Sequence, residues 1–166
     1  MQLEIRPATA DDIAAITVIY GHWVETGTSS FELQAPDVAE MQTRFAALKQ
    51  KELPWIAATR DGVLVGYAYA GLYRPRPAYR FTLEDSIYVA PDAVGTGIGH
   101  PLLSALIETC RGLGCRNLMG IVGDPDTNRG SVALHRALGF EPIGTARQIG
   151  FKFDRWLDVL TMQKVL

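Results

Sequence analysis

The stretch Glu84-Asp-Ser-Ile-Tyr-Val-Ala-Pro-Asp-Ala-Val-Gly-Thr-Gly-Ile-Gly-His-Pro-Leu-Leu103 decides how the rest of the chain is read. Ile87, Tyr88 and Val89 are β-branched and aromatic, which suits a pleated, half-buried surface, and Ala90-Pro91-Asp92 cannot continue a central strand. A strand is expected to stop near Val89. Gly95, Gly97 and Gly99 follow at alternate positions and permit left-handed or crowded backbone close to a ligand. Pro101 suits the first position of a helix, where a missing N–H is harmless. A strand that feeds a glycine turn opening a helix aims unpaired amides at one spot, and that spot favours phosphate groups.

On the N-terminal side, Leu3 and Ile5 alternate with polar neighbours and predict a short strand ending at Pro7. Thr9 or Asp11 can cap a helix whose apolar stripe is Ile13, Ile16, Ile19 or Tyr20, and Trp23 or Val24, closing near Thr26-Gly27. Thr28 to Phe31 is a polar loop carrying one aromatic. Pro36-Asp37 opens a second helix with Val38, Met41, Phe45 and Leu48 on one face. Asp61-Gly62 between two apolar runs, Trp55–Thr59 and Val63–Tyr73, is a hairpin signal. The segment Arg74-Pro-Arg-Pro-Ala-Tyr-Arg80 is a basic loop, because two prolines cannot join a ladder interior.

On the C-terminal side, Leu102, Leu103, Leu106, Ile107 and Leu113 mark a helix closed by Gly112 or Gly114, and Asn117 to Val122 a buried strand. Gly123 to Asn128 is turn material, leading into a helix from about Arg129 to Leu138. Ile143–Phe153 and Trp156–Val165 complete the chain as two strands around Asp154-Arg155. This order predicts one α/β domain over residues 1–166, with no repeat, linker or low-complexity tract.

The bulk numbers narrow the function classes. A chain of 166 residues with 48% hydrophobic and 20% charged residues has an ordinary globular composition. A net charge of -2 gives no basic footprint for nucleic acid. There is no apolar run long enough to span a bilayer, and the N-terminus lacks the basic start and apolar core of a signal peptide, so a cytoplasmic location is expected. Cys110 and Cys115 lack zinc or redox spacing and are expected to be reduced and buried; no metal is expected.

Two phosphate motifs fail on the glycine turn. Gly99-His100-Pro101 lacks the Gly-Lys-Ser/Thr of a Walker loop, and His100 breaks the G-x-G-x-x-G of a dinucleotide fold. The spacing instead resembles the acyl-CoA pyrophosphate loop of the GNAT N-acetyltransferases, Q/R-x-x-G-x-G/A after a strand. Gly97 and Gly99 match, while Val94 stands where Gln or Arg is usual. The run Asn128-Arg-Gly-Ser131-Val-Ala-Leu-His135-Arg-Ala-Leu-Gly139-Phe140 matches a second signature of that superfamily, N-x-x-S-x-x-L-H/Y-x-x-x-G-F. Ser131 and His135 are four apart and share one helix face.

Within the superfamily, the chain is most similar to the phosphinothricin acetyltransferases: Tyr20 to Phe31, Leu83 to Val89, and Gly150-Phe-Lys-Phe-Asp-Arg-Trp-Leu-Asp158 carry the likeness. Asp154 stands where glycine is frequent. The resemblance implies a GNAT fold, a mixed and mostly antiparallel sheet with helices on both faces. It implies acetyl-CoA as co-substrate, its pantetheine arm beside Ile87 and Val89. Its pyrophosphate is then expected on the amides of Val94, Gly95, Thr96, Gly97, Ile98, Gly99 and His100, with Asn128 and Ser131 contributing. It implies Glu84 as general base, the Val89 amide as oxyanion donor, and His135 as a proton shuttle, a partner of Glu84 or a cofactor contact. Strand alternation places Glu84 and Asp85 on opposite faces, which argues against a carboxylate dyad. Phe31, Arg74, Arg76, Tyr79 and Arg80 make a candidate pocket for a small oxygen-rich amino acid such as L-phosphinothricin, methionine sulfoximine or methionine sulfone. Other amines, a peptide N-terminus or a polyamine, and a non-catalytic acyl-CoA-binding module are the alternatives. A homodimer is implied as well, and whether Lys152 or Trp156 reaches a partner's site stays open.

Overall fold

A computed structural model describes residues 2–166. Strands β1 (Leu3–Pro7), β2 (Trp55–Arg60), β3 (Val63–Leu72), β4 (Thr82–Val89), β5 (Asn117–Gly123), β6 (Glu141–Lys152) and β7 (Arg155–Val165) form one sheet in the order β1-β2-β3-β4-β5-β7-β6. Every neighbouring pair is antiparallel except β4 with β5. Helices α1 (Ile13–Thr26) and α2 (Val38–Gln50) cover one face, and α3 (Gly99–Gly112) and α4 (Arg129–Ala137) the other. This is the mixed, helix-flanked sheet expected from the sequence.

Local chemistry explains the boundaries. Asp12 returns its carboxylate to the Thr9 N–H at 2.7 Å and takes two bonds from Arg6 at 2.8 Å each, which pins a 3-10 turn at Ala10–Asp12 ahead of α1. Thr9, not Asp11, therefore starts this segment. Asp37 accepts from Glu40 N at 2.8 Å and caps α2. Asp61 and Gly62 both take positive φ, 50° and 82°, as a two-residue hairpin turn demands. At the β6–β7 turn, Phe153 and Asp154 adopt φ of 52° and 56°. Asp154 thus keeps the left-handed turn without glycine.

Two expectations shift. Pro101 sits at the third position of α3, not the first, since the helix begins at Gly99. Its missing N–H is still harmless, because the first four helical N–H groups have no partner inside the helix. β6 starts two residues before Ile143, and its whole outer run Glu141–Ile149 is exposed.

The core lies on both sides of the sheet. On one face Trp55 stacks over Tyr69 at 4.4 Å while Phe45 of α2 meets Trp55 edge-on at 5.5 Å, and Tyr20 of α1 meets Tyr88 at 5.0 Å. On the other, Leu102, Leu103 and Leu106 of α3 are fully buried, each worth about 2 kcal/mol by transfer from water. A Cβ on Gly66 of β3 would meet Leu102 at 3.3 Å, so glycine there lets α3 approach the sheet. The same packing fixes where the glycine turn ends. Ile98, 1% exposed, anchors it in the core.

Candidate active site

β4 and β5 pair from Thr82 opposite Asn117 to Asp85 opposite Gly120, and the pairing goes no further. Ala90 N donates to Val65 O and Tyr73 N to Thr82 O, so the even-numbered residues of β4 turn their backbone groups toward β3. Arg116 N donates to Phe81 O, so the odd-numbered ones face β5. Past Asp85, the N–H and C=O of Ile87 and the N–H of Val89 therefore face an opening in the sheet, while the Val89 C=O is held from α1. That edge is suited to accept an extended ligand as an added strand. From α1, Trp23 Nε1 donates to Val89 O at 2.8 Å, a contact that no sequence pattern announced.

The opening is a cavity of about 300 Å3, bordered by Phe31, Glu84, Asp85, Gly123, Ser131 and His135. Glu84 and Asp85 leave β4 on opposite faces. Glu84 pairs across to Gly71, where a Cβ would approach Leu48 of α2, so it lies on the α1–α2 side. Burial, and then the charge of Asp85, push the Glu84 carboxyl above the ordinary glutamate range. A carboxylate in that setting binds a proton more tightly than one in water, as a general base must.

Asp85 faces α4 and is 6% exposed. His135 Nε2 lies 3.0 Å from Asp85 Oδ1, and His135 Nδ1 lies 2.7 Å from Ser131 O. Both side chains are buried in the cavity wall, with the Phe140 ring edge-on to the imidazole at 4.9 Å. Gly120 makes room for the ring: a Cβ there would stand 2.8 Å from His135 Cδ2. Of the three roles considered for His135, holding Glu84 in place is not what this geometry does. Its ring nitrogen reaches Asp85, on the other face of the strand.

Ser131 lines the same cavity, its Oγ 3.5 Å from His135 Nδ1. Asn128 precedes α4 and donates from Nδ2 to Gly123 O at 2.7 Å and to Thr28 Oγ1 at 3.1 Å. Its amide nitrogen therefore ties α4, the end of β5 and the loop after α1 together, leaving only its carbonyl oxygen for a ligand. Thr28 continues the tie, donating to Asp124 Oδ2 at 2.7 Å, and Arg155 NH2 holds the same oxygen at 2.5 Å.

Beyond the end of β4, Gly95 and Gly97 take φ of 77° and 83°, and a Cβ on either would meet nothing within 4 Å. Left-handed backbone, not crowding by protein, is what requires glycine here. Gly99 differs, since a Cβ would come 3.1 Å from Leu134 of α4. The Thr96 N–H and hydroxyl both turn to Ala93 O, at 3.3 and 2.7 Å, so Thr96 stabilises the turn instead of offering donors. Ile98 is a core residue whose side chain points inward. Val94 and His100 are exposed at the rim. The remaining amides, at the N-terminus of a 14-residue helix, fit a phosphate-bearing ligand.

The candidate amine pocket is only partly assembled. Phe31 borders the cavity, its ring seated where a Cβ on Gly123 would be 2.6 Å away and one on Gly150 closer still. Arg74, Arg76, Tyr79 and Arg80 do not border it. Arg74 lies over the rings of Tyr73 and Tyr79 at 5.1 and 5.8 Å, and Arg80 over Phe81 at 4.4 Å while donating to Pro77 O. Arg76 is exposed at the head of the 3-10 turn Pro77–Tyr79. Lys152 points inward and donates to Ser30 O at 2.8 Å, whereas Trp156, 62% exposed, packs on Phe151. Cys110 and Cys115 are free, buried thiols, as expected.

The comparisons agree with this geometry. The model of the Acetyltransferase (GNAT) family matches residues 18–140. A phosphinothricin N-acetyltransferase of Alcaligenes faecalis is 52% identical over 98% of this chain and 82% of its own length. An L-methionine sulfoximine/L-methionine sulfone acetyltransferase of Pseudomonas paraeruginosa is 38% identical over 98% of this chain and 94% of its own. Among solved structures, a GNAT superfamily phosphinothricin acetyltransferase from Sinorhizobium meliloti, in complex with AcCoA, superposes with a TM-score of 0.96 at 44% identity, covering 100% of this chain and 89% of that one. With its split sheet, its glycine turn and Glu84 at the cavity they border, this chain belongs to the GNAT family of N-acetyltransferases and is homologous to its phosphinothricin and methionine sulfoximine acetyltransferases.

Proposed function

We propose that this chain transfers the acetyl group of acetyl-CoA directly to the α-amine of a small, oxygen-rich amino acid, of the kind that L-phosphinothricin, methionine sulfoximine and methionine sulfone represent. The observation that carries the reading is the parting of β4 from β5 beyond Asp85, which leaves the Ile87 and Val89 edge facing the cavity that Glu84 borders. The names of the 52% and 38% identical relatives supply the substrate class.

Bound acetyl-CoA supplies an activated thioester. The backbone of Ile87 would hold the pantetheine arm as an added strand, with the Val89 N–H left for its acetyl end, and the free amides between Val94 and His100, Thr96 excepted, would hold the pyrophosphate. Asn128 through its carbonyl oxygen and Ser131 through its hydroxyl would border the arm on the far side. Glu84 would accept the proton of the amine, directly or through water, and the Val89 N–H would donate to the acetyl oxygen as it gains charge. Phe31 would form the wall against the amino acid's side chain. The guanidinium groups of Arg74, Arg76 and Arg80, with Tyr79, would meet its oxygen atoms where it extends beyond the cavity toward the start of β4.

Direct transfer is favoured over an acetylated enzyme by the state of the thiols. Neither cysteine borders the cavity, and burial pushes the Cys110 thiol up to about 12, far from a nucleophilic thiolate. A homodimer is proposed on the exposed β6 edge, where Ile143, Ile149 and Phe151 are 53 to 62% exposed, an apolar strand edge suited to isologous pairing. No helix among the described residues is long and apolar enough to cross a membrane, in keeping with a proposed cytoplasmic location.

The deciding experiment is free-thiol release from acetyl-CoA across methionine sulfoximine, methionine sulfone, phosphinothricin and unmodified amino acids. Release with the oxidised amino acids and little with the plain ones is the expected result. Tight CoA binding without release from any amine would instead make this a binding module.

A further inference from the structure

The buried contact between β4 and α4 has a proton count that geometry alone fixes. His135 Nδ1 is 2.7 Å from Ser131 O, a carbonyl that can only accept, so Nδ1 carries a hydrogen. His135 Nε2 is 3.0 Å from Asp85 Oδ1, and that contact also needs a hydrogen between its two atoms. Both ring nitrogens are thus committed to oxygens, and the pair holds one proton more than a neutral imidazole beside a carboxylate. Asp85 Oδ2 is buried with no hydrogen-bond partner. No other side chain therefore competes with the imidazole for this carboxylate.

The surroundings add few other charges. α4 contributes Ser131 and the histidine itself; β5 contributes only the Cα of Gly120; the Phe140 ring closes the remaining side. Cys110 of α3 is near enough to feel the charge of Asp85, as is Glu84 on the opposite face of β4. Burial by itself lowers the pKa of His135, but the hydrogen bond to Asp85 and its charge, with the Ser131 carbonyl, carry it above the ordinary histidine value.

We infer that Asp85 is a positioning residue of the transfer reaction: by accepting from Nε2 it keeps His135 doubly protonated, so that His135 is a proton donor to the cavity and not a second base beside Glu84. The inference rests on the acetyltransferase reading for its purpose, and on the β4–α4 contact for its existence. To deliver the proton, Nδ1 would exchange its bond to Ser131 O for the Ser131 hydroxyl, which lines the cavity 3.5 Å away and would relay it. As the thioester C–S bond breaks and the new C–N bond forms, the Ser131 hydroxyl would give its proton to the departing thiolate and regain one from Nδ1, and the imidazole recovers its proton from solvent. Glu84 takes a proton from the amine and returns it to solvent, so the charge balances over one turnover.

The test uses the full chain with 13C-labelled histidine rings, the His135 signal being assigned by its loss in His135→Asn. In the unsubstituted protein it should keep the protonated ring shift above the ordinary histidine range, and in Asp85→Asn it should titrate below that range. A neutral ring at pH 7 in the unsubstituted protein overturns the inference, and so does a protonated ring in both. These spectra need neither acetyl-CoA nor an amine, so they decide on the pair whether or not acetyl transfer is observed. In kinetics, kcat of Asp85→Asn should fall roughly tenfold or more as pH rises through the lowered titration of its His135 ring, located in the same spectra, where the unsubstituted enzyme does not fall. A loss uniform across pH would mark Asp85 as structural only and overturn its role.

Discussion

Glu84 and Asp85 are consecutive on one strand, border one cavity, and have opposite environments. Glu84 faces the α1–α2 side, half-buried, with its carboxyl raised above the ordinary range by burial and by its neighbour's charge. Asp85 faces α4, 6% exposed, joined to His135 at 3.0 Å. Strand alternation accounts for the opposite directions. The parting of β4 and β5 accounts for the common cavity. Two acidic side chains that cannot form a dyad are thereby free for the different work proposed for them, accepting a proton at Glu84 and holding a proton on the partner of Asp85.

The largest effect is expected at Glu84. Glu84→Gln should lower kcat roughly 100- to 10,000-fold at pH 7 while CoA affinity, followed by calorimetry, stays the same. The same variant should melt at a higher temperature at pH 7. A carboxyl whose pKa is raised on folding contributes stability at low pH and loses it as pH rises past the ordinary glutamate value, so the native protein carries a destabilising charge there that Gln lacks. An unchanged rate would remove Glu84 from the mechanism.

At Asp85 the expected cost is stability. His135→Ala strips a buried carboxylate of its partner and should cost about 3–5 kcal/mol in urea unfolding, whereas Asp85→Asn, which keeps a neutral contact, should cost less. The sign with pH is opposite to that of Glu84. A histidine raised on folding stabilises fully below its ordinary value and loses the effect as pH rises through the raised one. The gap between the unsubstituted protein and His135→Ala should therefore narrow with increasing pH above neutrality.

The substrate wall offers a smaller effect. Gly150→Ala puts a methyl into the Phe31 ring and should cost about 1–3 kcal/mol, with a raised KM for the amine and an unchanged KM for acetyl-CoA. Equal changes in both KM values would argue that Phe31 does not touch the amine. The smallest effect expected is that of Val94→Arg, which restores a family side chain at the exposed rim and should tighten CoA binding by no more than about fivefold.

The sequence made the two ends of the site legible and left its middle dark. Positive φ at Gly95 and Gly97 and a helix opening just after them, although at Gly99 and not at Pro101, follow from residue chemistry that acts over a few positions. So does the placing of Ser131 and His135 on one face. The Asp85–His135 contact spans 50 residues and the Trp23–Val89 contact 66, and no short-range pattern encodes either. The one available sign was a glycine inside each strand that approaches a side chain closely, Gly120 for His135, Gly123 and Gly150 for Phe31. The arginine loop was read by composition, and composition does not say where a loop folds.

By itself, the sequence determined the α/β order, the glycine turn, the second signature from Asn128 to Phe140, and with them the family. Only the tertiary structure decided that β4 and β5 part at Asp85, that His135 serves Asp85 and not Glu84, and that Phe31 but not the arginines reaches the cavity. The division has a physical cause. Backbone propensity, capping and turn chemistry are local and repeat from chain to chain, whereas a partner across the sheet is set by register and by the close packing of helices on it, which depend on every residue between.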